Sequence, residues 1–425
     1  MKIKRNGNFM HLYIHIPFCK NKCTYCDFVS GAYSKQMQND YIEALIAEIH
    51  LLLPSQNRFK TVYIGGGTPS ALSNENLIRL LSSLQKNVDL ENLEEFTIEC
   101  NPESVSDDFV KTIQDFHIRR VSMGVQSANE EELHFLNRIH SFDMVKDAVE
   151  KLHLAGIDNI SLDLMFHLPN QTMEMLAHSL EEFMKLKPKH ISCYSLIIEE
   201  NTPMMKLLRD GKIEVQSDEF YVKQQRFITG FLSQRGFEQY EIASYAQEGY
   251  AAVHNSAYWI GNDYLGLGLS SHSKIGNTRY SNCCDIKEYI RAMKEFAKSN
   301  HKKKVYEYSP VVDKNSIEKL RRIDELNEIF FLGLRRNIGV RIDKINLALK
   351  NLCMDEDSRN DLPNRITNFE AQKNAADCFA SLQQYYQQHF QKLNKEGLLI
   401  IDEESIRLSE RGREISNSIF VDLML

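Results

Sequence analysis

Short hydrophobic runs rich in β-branched residues recur along the first two hundred residues, separated by segments in which apolar residues follow a helical spacing. The runs lie at residues 12–17, 61–66, 96–100, 120–126, 159–166 and 190–197. One helical stripe between the first two runs consists of Tyr41, Leu45, Ile49 and Leu52. Strands that alternate with helices indicate βα units and a parallel sheet. Six units are fewer than the eight of a closed barrel, so the pattern predicts an open, partial (β/α)6 barrel.

Beyond residue 203 the alternation stops and the pattern is less regular. Residues 220–234 have helical spacing, and residues 236–246 are rich in tyrosine. Residues 254–273 are rich in glycine and aromatic residues without a clear period, and we interpret them as a structured loop region. The sequence ELNEIFFLGLRR, which begins at Glu325, predicts another helix.

The end of the chain predicts a helix, two strands joined by a turn, and a final helix, an order that resembles a small winged-helix module. Its basic residues are interleaved with acidic ones, so we expect no nucleic-acid partner. We divide the α/β chain into a partial barrel at residues 1–205, a middle region at 206–310, and a C-terminal α/β-to-helical, winged-helix-like domain at 311–425. Two polar segments, 301–304 and 355–373, are interpreted as a solvated linker and an insertion without an assigned function.

The composition narrows the class of protein. Of 425 residues, 43% are hydrophobic and 26% are charged, the balance of an ordinary globular protein. Lys and Arg number 51 against 58 Asp and Glu, and this net charge of −7 gives no general electrostatic reason to bind nucleic acid or anionic lipid. No stretch approaches the roughly 18 consecutive apolar residues of a membrane span. The basic N-terminus is followed by a short alternating segment that predicts a strand rather than a signal peptide, so we expect a cytoplasmic protein.

Three of the nine cysteines lie together just after the first predicted strand. Cys19, Cys23 and Cys26 have the spacing C-x3-C-x2-C. Thiolates are soft ligands that suit zinc or iron–sulfur clusters. A structural zinc site uses four ligands, usually in two C-x2-C pairs, and no second pair is present. Three cysteines on one loop can instead bind three irons of a [4Fe–4S] cube and leave the fourth iron open.

This spacing at the end of the first strand of a partial barrel resembles the radical S-adenosylmethionine (SAM) superfamily. The resemblance implies a [4Fe–4S] cluster on Cys19, Cys23 and Cys26, with SAM bound to the open iron. It also implies that an electron from the cluster cleaves SAM to give a 5′-deoxyadenosyl radical. In such proteins the cofactors supply the chemistry, and the chain positions them and excludes side reactions.

Motifs at the ends of later strands fit the same family. The segment IGGGTPS begins at Ile64, and its consecutive glycines let the backbone approach a ligand closely. It resembles the family's GGGTP element, which contacts the amino group of SAM. Further polar residues at or just after the next strands are Glu99, Gln126, Arg138 and Asp163. Because the carboxyl ends of parallel strands meet at one edge, these groups converge on a ligand with ammonium, carboxylate, ribose and adenine groups.

Motifs along almost the whole chain narrow the resemblance to the coproporphyrinogen-oxidase-like branch and, within it, to the HemW-type haem chaperones. They include YIHIPFC, GVQS, ISCYSLIIEENTP and FLGLRRNIGV. By this resemblance the cluster-bound SAM is contacted by Tyr13, Gly66 and Glu99. A second, adjacent SAM site is lined by Gly67, Thr68, Gln126, Arg138 and Asp163.

The alternative within this branch is an oxygen-independent coproporphyrinogen III oxidase. Those oxidases carry one more cysteine two residues after the third, where this chain has Phe28. They also carry a longer N-terminal extension that encloses the tetrapyrrole, whereas only 18 residues precede Cys19 here. Both features favour the chaperone.

The segment HNSAYW, from His254 to Trp259, adds a candidate haem site. Imidazole is a common axial ligand of haem iron, and Tyr can also serve. On spacing alone, a His near a Tyr is more often structural. The string resembles the haem-binding motif of HemW-type proteins, which implies His254 as the haem ligand and Tyr258 as the second candidate. The single Trp of the chain follows and could stack on a porphyrin.

One departure from the family pattern concerns the second SAM site. His167 and Asn170 occupy positions where the family usually has glycines, so we expect His167 to narrow that pocket. The resemblance further implies haem and a haem-acceptor protein as partners. Transient membrane association and a homodimer are left open.

Overall fold

The computed structural model describes residues 10–53, 57–298, 308–362 and 374–425. The predicted linker at 301–304 and most of the predicted insertion at 355–373 lie outside the described residues. Among the described residues, no helix is long and apolar enough to cross a membrane.

All six predicted strands are present and pair in parallel in chain order. They are β1 (Met10–Ile16), β2 (Phe59–Gly66), β3 (Glu95–Cys100), β4 (Arg120–Gln126), β5 (Asn159–Phe166) and β6 (His190–Ser195). The predicted partial (β/α) barrel is therefore confirmed.

The two faces of this sheet have different environments. On β1, Leu12, Ile14 and Ile16 are fully buried in the hydrophobic core. The intervening positions point to the opposite face, since side chains alternate along a strand. Tyr13 lies there, and its ring stacks on that of its strand neighbour Tyr63 at 6.2 Å between centroids. The polar face of the sheet thus lines the interior of the partial barrel.

Helices cover the outer face and connect the strands. The helices in this part of the chain are α1 (Lys35–Leu52), α2 (Asn74–Asn87), α3 (Asp107–Asp115), α4 (Glu130–Phe135), α5 (Phe142–Leu154), α6 (Met173–Lys185), α7 (Pro203–Arg209) and α8 (Asp218–Ser233). All but α4 begin after a Ser or Thr whose side chain accepts a hydrogen bond from a first-turn amide. Such caps satisfy backbone donors that have no partner within the helix, so these residues specify where each helix starts.

The middle region differs from the sequence-based expectation of a structured loop. Residues 254–273 contain most of α9 (Val253–Trp259), the strand β9 (Tyr264–Leu267) and the start of β10 (His272–Ile275). Strand β9 pairs in parallel with β1 and so adds a seventh parallel strand. The strand has only four residues and includes a glycine, so it is too short to show a period. The loop interpretation was wrong here.

Antiparallel strands extend the sheet at both edges. Besides β10, they are β7 (Glu238–Glu241), β8 (Ser244–Ala246), β11 (Thr278–Ser281) and β12 (Glu318–Lys319). In the described residues the full order is β12-β11-β10-β9-β1-β2-β3-β4-β5-β6-β8-β7. Helix α10 (Ile286–Lys298) packs against α1.

The C-terminal part has its own hydrophobic core. Its helices are α11 (Arg322–Gly333), α12 (Ile342–Met354), α13 (Glu356–Asn360), α14 (Ala375–Lys395), α15 (Glu410–Glu414) and α16 (Ser416–Leu423), and its strands are β13 (Val340–Arg341), β14 (Leu399–Ile401) and β15 (Ser405–Leu408). The strands form a small antiparallel sheet in the order β13-β15-β14. The predicted order of helix, two strands and helix is present at the end of the chain. The winged-helix assignment and the three domain boundaries stay predictions.

Candidate functional site

The three clustered cysteines lie on the loop between β1 and α1. All three are unpaired thiols and partly exposed. The Cys19 thiol accepts a hydrogen bond from the Thr68 hydroxyl at 3.6 Å, and the Cys23 thiol accepts one from Arg138 Nη1 at 3.4 Å. Burial raises the pKa of the Cys26 thiol, and the proximity of Cys23 and Cys19 raises it further. The thiols therefore share one small region.

This donor set fits an iron–sulfur cube. In the described part of the chain, no three His, Cys, Asp or Glu side chains converge tightly enough to hold a single metal ion. Zinc would draw its sulfur ligands to about 2.3 Å from one centre. A cube places each thiolate on a different iron and therefore needs a wider set of soft ligands. The three free thiols on one loop match that requirement in number and in ligand type.

The glycines that end β2 bring its backbone against the cysteine loop. Gly66 has φ +113°, and a Cβ at this position would lie 2.5 Å from the His15 ring. The Gly67 amide donates to Ile16 O at 2.8 Å, and its Cβ would lie 2.9 Å from Ile16 O and from Phe18 O. Any side chain here would displace neighbouring groups, so glycine is required for the close approach.

Glu99 stands at the end of β3 beside these glycines. One of its carboxylate oxygens accepts from the Tyr63 hydroxyl at 2.6 Å, and the other accepts from the Gly66 amide at 3.0 Å. Burial raises the pKa of Glu99, while these two hydrogen bonds oppose the rise. Tyr13 completes the group, because its ring stacks on Tyr63 and its hydroxyl lies 3.0 Å from His15 Nδ1.

Arg138 connects the cysteine loop to β3 and β4. Besides its contact with Cys23, its Nη2 donates to Asn101 Oδ1 at 2.7 Å and to Gly124 O at 2.5 Å. Asn101 Nδ2 in turn donates to the Thr68 hydroxyl at 3.1 Å. Asn101 was not among the predicted site residues. Its position directly after β3 was the available signal.

Gln126 and Asp163 lie on the two strands next to this group. Gln126, the last residue of β4, has φ +71°, and its side-chain amide would be 3.0 Å from a Cβ on Gly124. Asp163 is buried on β5, and Ser122 Oγ lies 3.5 Å from its carboxylate. Burial, together with nearby Glu99, raises the pKa of Asp163 to about 7. Of the residues predicted for the two SAM sites, Gly66, Gly67, Thr68, Glu99 and Gln126 lie at or next to the carboxyl ends of β2, β3 and β4, whereas Tyr13 and Asp163 lie within β1 and β5.

The structure places the side chain of His167 against α8. Its Nδ1 lies 3.2 Å from Gln224 Oε1, and its ring meets the edge of Tyr221 at 5.5 Å. His167 and Asn170 have φ values of +61° and +63°. This left-handed backbone favours glycine, which explains why glycine suits both positions.

His254 and Tyr258 lie elsewhere, near the amino ends of the strands. The carboxylate of Glu95, the first residue of β3, accepts the amides of Val253 and His254 and so caps α9. The His254 ring points into the barrel and is 1% exposed. Its Nδ1 lies 2.6 Å from the Thr61 hydroxyl, and its Nε2 lies 2.9 Å from the Tyr258 hydroxyl. Burial lowers the pKa of His254 to about 3, so the imidazole is neutral.

Tyr63, which was not among the predicted site residues, connects the group around Glu99 with the group around His254. The Tyr63 ring stacks on His254 at 5.0 Å between centroids, and its hydroxyl donates to Glu99. The Thr61 hydroxyl, which contacts His254, also lies 2.8 Å from His11 Nδ1. His11 and Tyr13 occupy alternate positions on β1, and Thr61 and Tyr63 do so on β2. The sequence displays this alternation but does not show which face of the sheet these residues occupy.

Comparisons with known proteins agree with this architecture. The radical SAM superfamily model matches residues 13–183. The chain is 32% identical over 413 residues to the haem chaperone HemW of Lactococcus lactis, covering 97% of both chains. It is 34% identical over 331 residues to the haem chaperone HemW of Bacillus subtilis, covering 77% of this chain and 84% of that protein.

A solved structure gives the same fold. Coproporphyrinogen III oxidase (HemN) of Escherichia coli, a radical SAM enzyme, matches with a TM-score of 0.75 and 21% identity, covering 99% of this chain and 91% of that one. This likeness concerns the fold. The Lactococcus lactis relative, which covers 97% of both chains, and the Bacillus subtilis relative show the family: the chain belongs to the HemW family of the radical SAM superfamily.

Proposed function

We propose that this protein is a haem chaperone that binds haem and passes it to an acceptor protein in the cytoplasm. The single observation that carries the proposal is the 32% identity to the haem chaperone HemW of Lactococcus lactis over 97% of both chains. The thiol loop and the polar strand ends support a cofactor site that accompanies this task.

We propose that Cys19, Cys23 and Cys26 hold one [4Fe–4S] cluster with SAM on its open iron. When bound, this group supplies low-potential electron transfer to SAM. The chain's own residues do the positioning. Glu99 is held by two donors so that it faces the end of β2, and Arg138 places a positive charge beside Cys23. The second SAM site proposed from the family uses Gly67, Thr68, Gln126, Arg138 and Asp163.

His254 is the proposed haem ligand, and Tyr258 is the alternative. Neutral imidazole is the form that binds metal, and the low pKa of His254 keeps the ring in that form. Its Nδ1 contact with Thr61 resembles the outer hydrogen bond that orients metal-bound histidines. In this structure Nε2 is occupied by Tyr258 and the ring is buried. Ligation by His254 therefore requires α9 to move and the bond to Tyr258 to break.

The test is an anaerobic haem titration of cluster-reconstituted protein, followed by the Soret band. Wild type is compared with His254→Ala and with His272→Ala, which removes an exposed histidine on β10. We expect saturable binding near one haem per chain, weakened by His254→Ala and unchanged by His272→Ala. Equal haem affinity in all three proteins would mean that a residue other than His254 ligates the haem iron. Tyr258→Phe would then be tested. Failure of wild type to bind would refute the haem-chaperone proposal.

Coproporphyrinogen III oxidase activity is the alternative function, favoured by the fold of the Escherichia coli enzyme. Phe28 is the observation against it, because this position carries the extra cysteine in the oxidases. Here Phe28 is 62% exposed next to the cluster loop. Consumption of coproporphyrinogen III under anaerobic turnover would support the oxidase, and its absence would support the chaperone. A homodimer and a transient membrane contact during delivery remain parts of the proposal to be tested by sedimentation and vesicle binding.

A further inference from the structure

Three cationic side chains surround the carboxyl end of α9, and we call them the basic corner: Lys274, Arg336 and Lys344. Lys344 Nζ donates to Ile260 O at 2.9 Å, and Lys274 Nζ donates to Gly261 O at 3.0 Å. Two ammonium groups therefore converge on carbonyls of consecutive residues. Arg336 lies near enough that its charge, with that of Lys274, lowers the pKa of Lys344 after the larger effect of burial.

The nearby carboxylate that faces this corner is Glu328; burial raises its pKa, and the charges of Arg279 and Lys274 oppose that rise. None of the three cations forms an ion pair with a carboxylate within the described part of the chain. The neighbouring ion pairs use other cations, since Arg279 binds Glu328 at 2.6 Å and Arg341 binds Asp343 at 2.8 Å. Lysines at a helix carboxyl end are favourable by themselves. Lys274 and Lys344 have this role, because they donate to carbonyls at the end of α9. Arg336 has no such contact with α9 among the described residues.

In the part of the chain that the structure describes, two buried donors without acceptors belong to residues next to Ile260 and Arg336 in the sequence. Trp259 Nε1 and Arg335 Nε are buried atoms with no hydrogen-bond partner among the described residues. The Arg335 guanidinium lies 5.4 Å from the centre of the Trp259 ring. Buried polar donors normally have an acceptor, and the Glu241 carboxylate reaches Arg335 by charge only, so both donors lack a hydrogen-bond acceptor within the described ranges. An anionic oxygen would supply both the acceptor and the charge.

We propose that the basic corner binds the carboxylates of the haem propionate groups. The inference rests on the proposed function, because it takes haem as the cargo. Haem joins an apolar ring, an iron centre and two carboxylates. The residues from His254 to Gly261 offer an imidazole and aromatic rings on α9 and cations at its carboxyl end. Charge-assisted hydrogen bonds from Lys and Arg are the usual means of holding carboxylates.

The experiment compares haem with haem dimethyl ester, in which both propionates are methylated and uncharged. Affinities are measured anaerobically by the Soret band for wild type and for the triple variant Lys274→Gln, Arg336→Gln, Lys344→Gln. The matched control replaces three exposed lysines distant from α9 in sequence, Lys111, Lys223 and Lys287, with Gln. It removes the same charge, so a general electrostatic effect would appear in both variants.

We expect wild type and the control to bind haem at least about tenfold more tightly than the ester, since bonds to charged groups contribute that much each. The triple variant should bind both ligands equally. Equal affinity of wild type for both ligands would overturn the inference, and that comparison depends on no variant folding. Persistence of the preference in a triple variant with unchanged circular dichroism would also overturn it. Absence of saturable haem binding by wild type would instead refute the proposed function and this inference together.

Discussion

Replacing Asp163 with Asn should stabilise the cluster-free protein at alkaline pH. The carboxylate is buried beside Glu99, and only Ser122, Ser192 and more distant arginines offset its charge. Its pKa is about 7 in the folded protein against an ordinary value of 3.8. The folded state therefore retains a proton that the unfolded state loses between these values. Wild-type stability should fall as the pH rises from about 4 to 7 and stay low above that.

The size of the effect follows from the same values. The difference between 3.8 and about 7 corresponds to about 4 kcal/mol in the free energy of unfolding. Asn keeps the shape of the side chain and has no charge. We therefore expect the free energy of unfolding of Asp163→Asn to exceed that of wild type by up to about 4 kcal/mol at pH 8. At pH 4 the two values should differ little. The gain should come with weaker SAM binding, because SAM carries positive sulfonium and ammonium groups.

Urea unfolding between pH 5 and pH 8.5, followed by circular dichroism and by the fluorescence of the single Trp, measures this difference. The control is Asp115→Asn, an exposed carboxylate at the end of α3. It should change stability by less than about 0.5 kcal/mol at every pH. A difference between Asp163→Asn and wild type that is constant across the range, or a variant less stable than wild type at pH 8, would refute the reasoning.

Three further outcomes follow from the site. Tyr63→Phe keeps the ring stack but removes the hydroxyl that donates to Glu99, so SAM affinity should fall about tenfold with the cluster absorbance unchanged; equilibrium dialysis measures this. Gly66→Ala should lower thermal stability and SAM binding, because the added Cβ would collide with the His15 ring. The control is Gly230→Ala on α8, whose Cβ would meet nothing within 4 Å, and it should be neutral or stabilise the protein by about 1 kcal/mol. Cys23→Ser should abolish the visible cluster absorbance after reconstitution, and survival of an intact cluster would contradict its assignment as a ligand.

The local sequence determined the barrel strands and the chemistry they carry. Short β-rich runs predicted six strands, and the structure contains those strands within a few residues. The cysteine spacing and the glycine triplet were equally informative, because both depend on residues adjacent in the chain. These features come from short-range geometry, which a sequence displays directly.

Contacts between distant segments could not be derived in this way. The sequence placed Arg138 in a SAM site, but only the fold set its guanidinium 3.4 Å from the Cys23 thiol and within reach of Asn101. Strand β9 was missed because its four residues are a strand only through pairing with β1.

The HNSAYW segment separates the two kinds of information most clearly. The residue types by themselves determined which chemistry α9 can offer, namely imidazole, phenol and indole. Only the tertiary structure decided that His254 is buried against Thr61 and Tyr258, and that Lys274 and Lys344 meet at the other end of the helix. The physical reason is that burial and electrostatic pairing depend on side chains brought together from segments up to two hundred residues apart, and no local pattern encodes that distance.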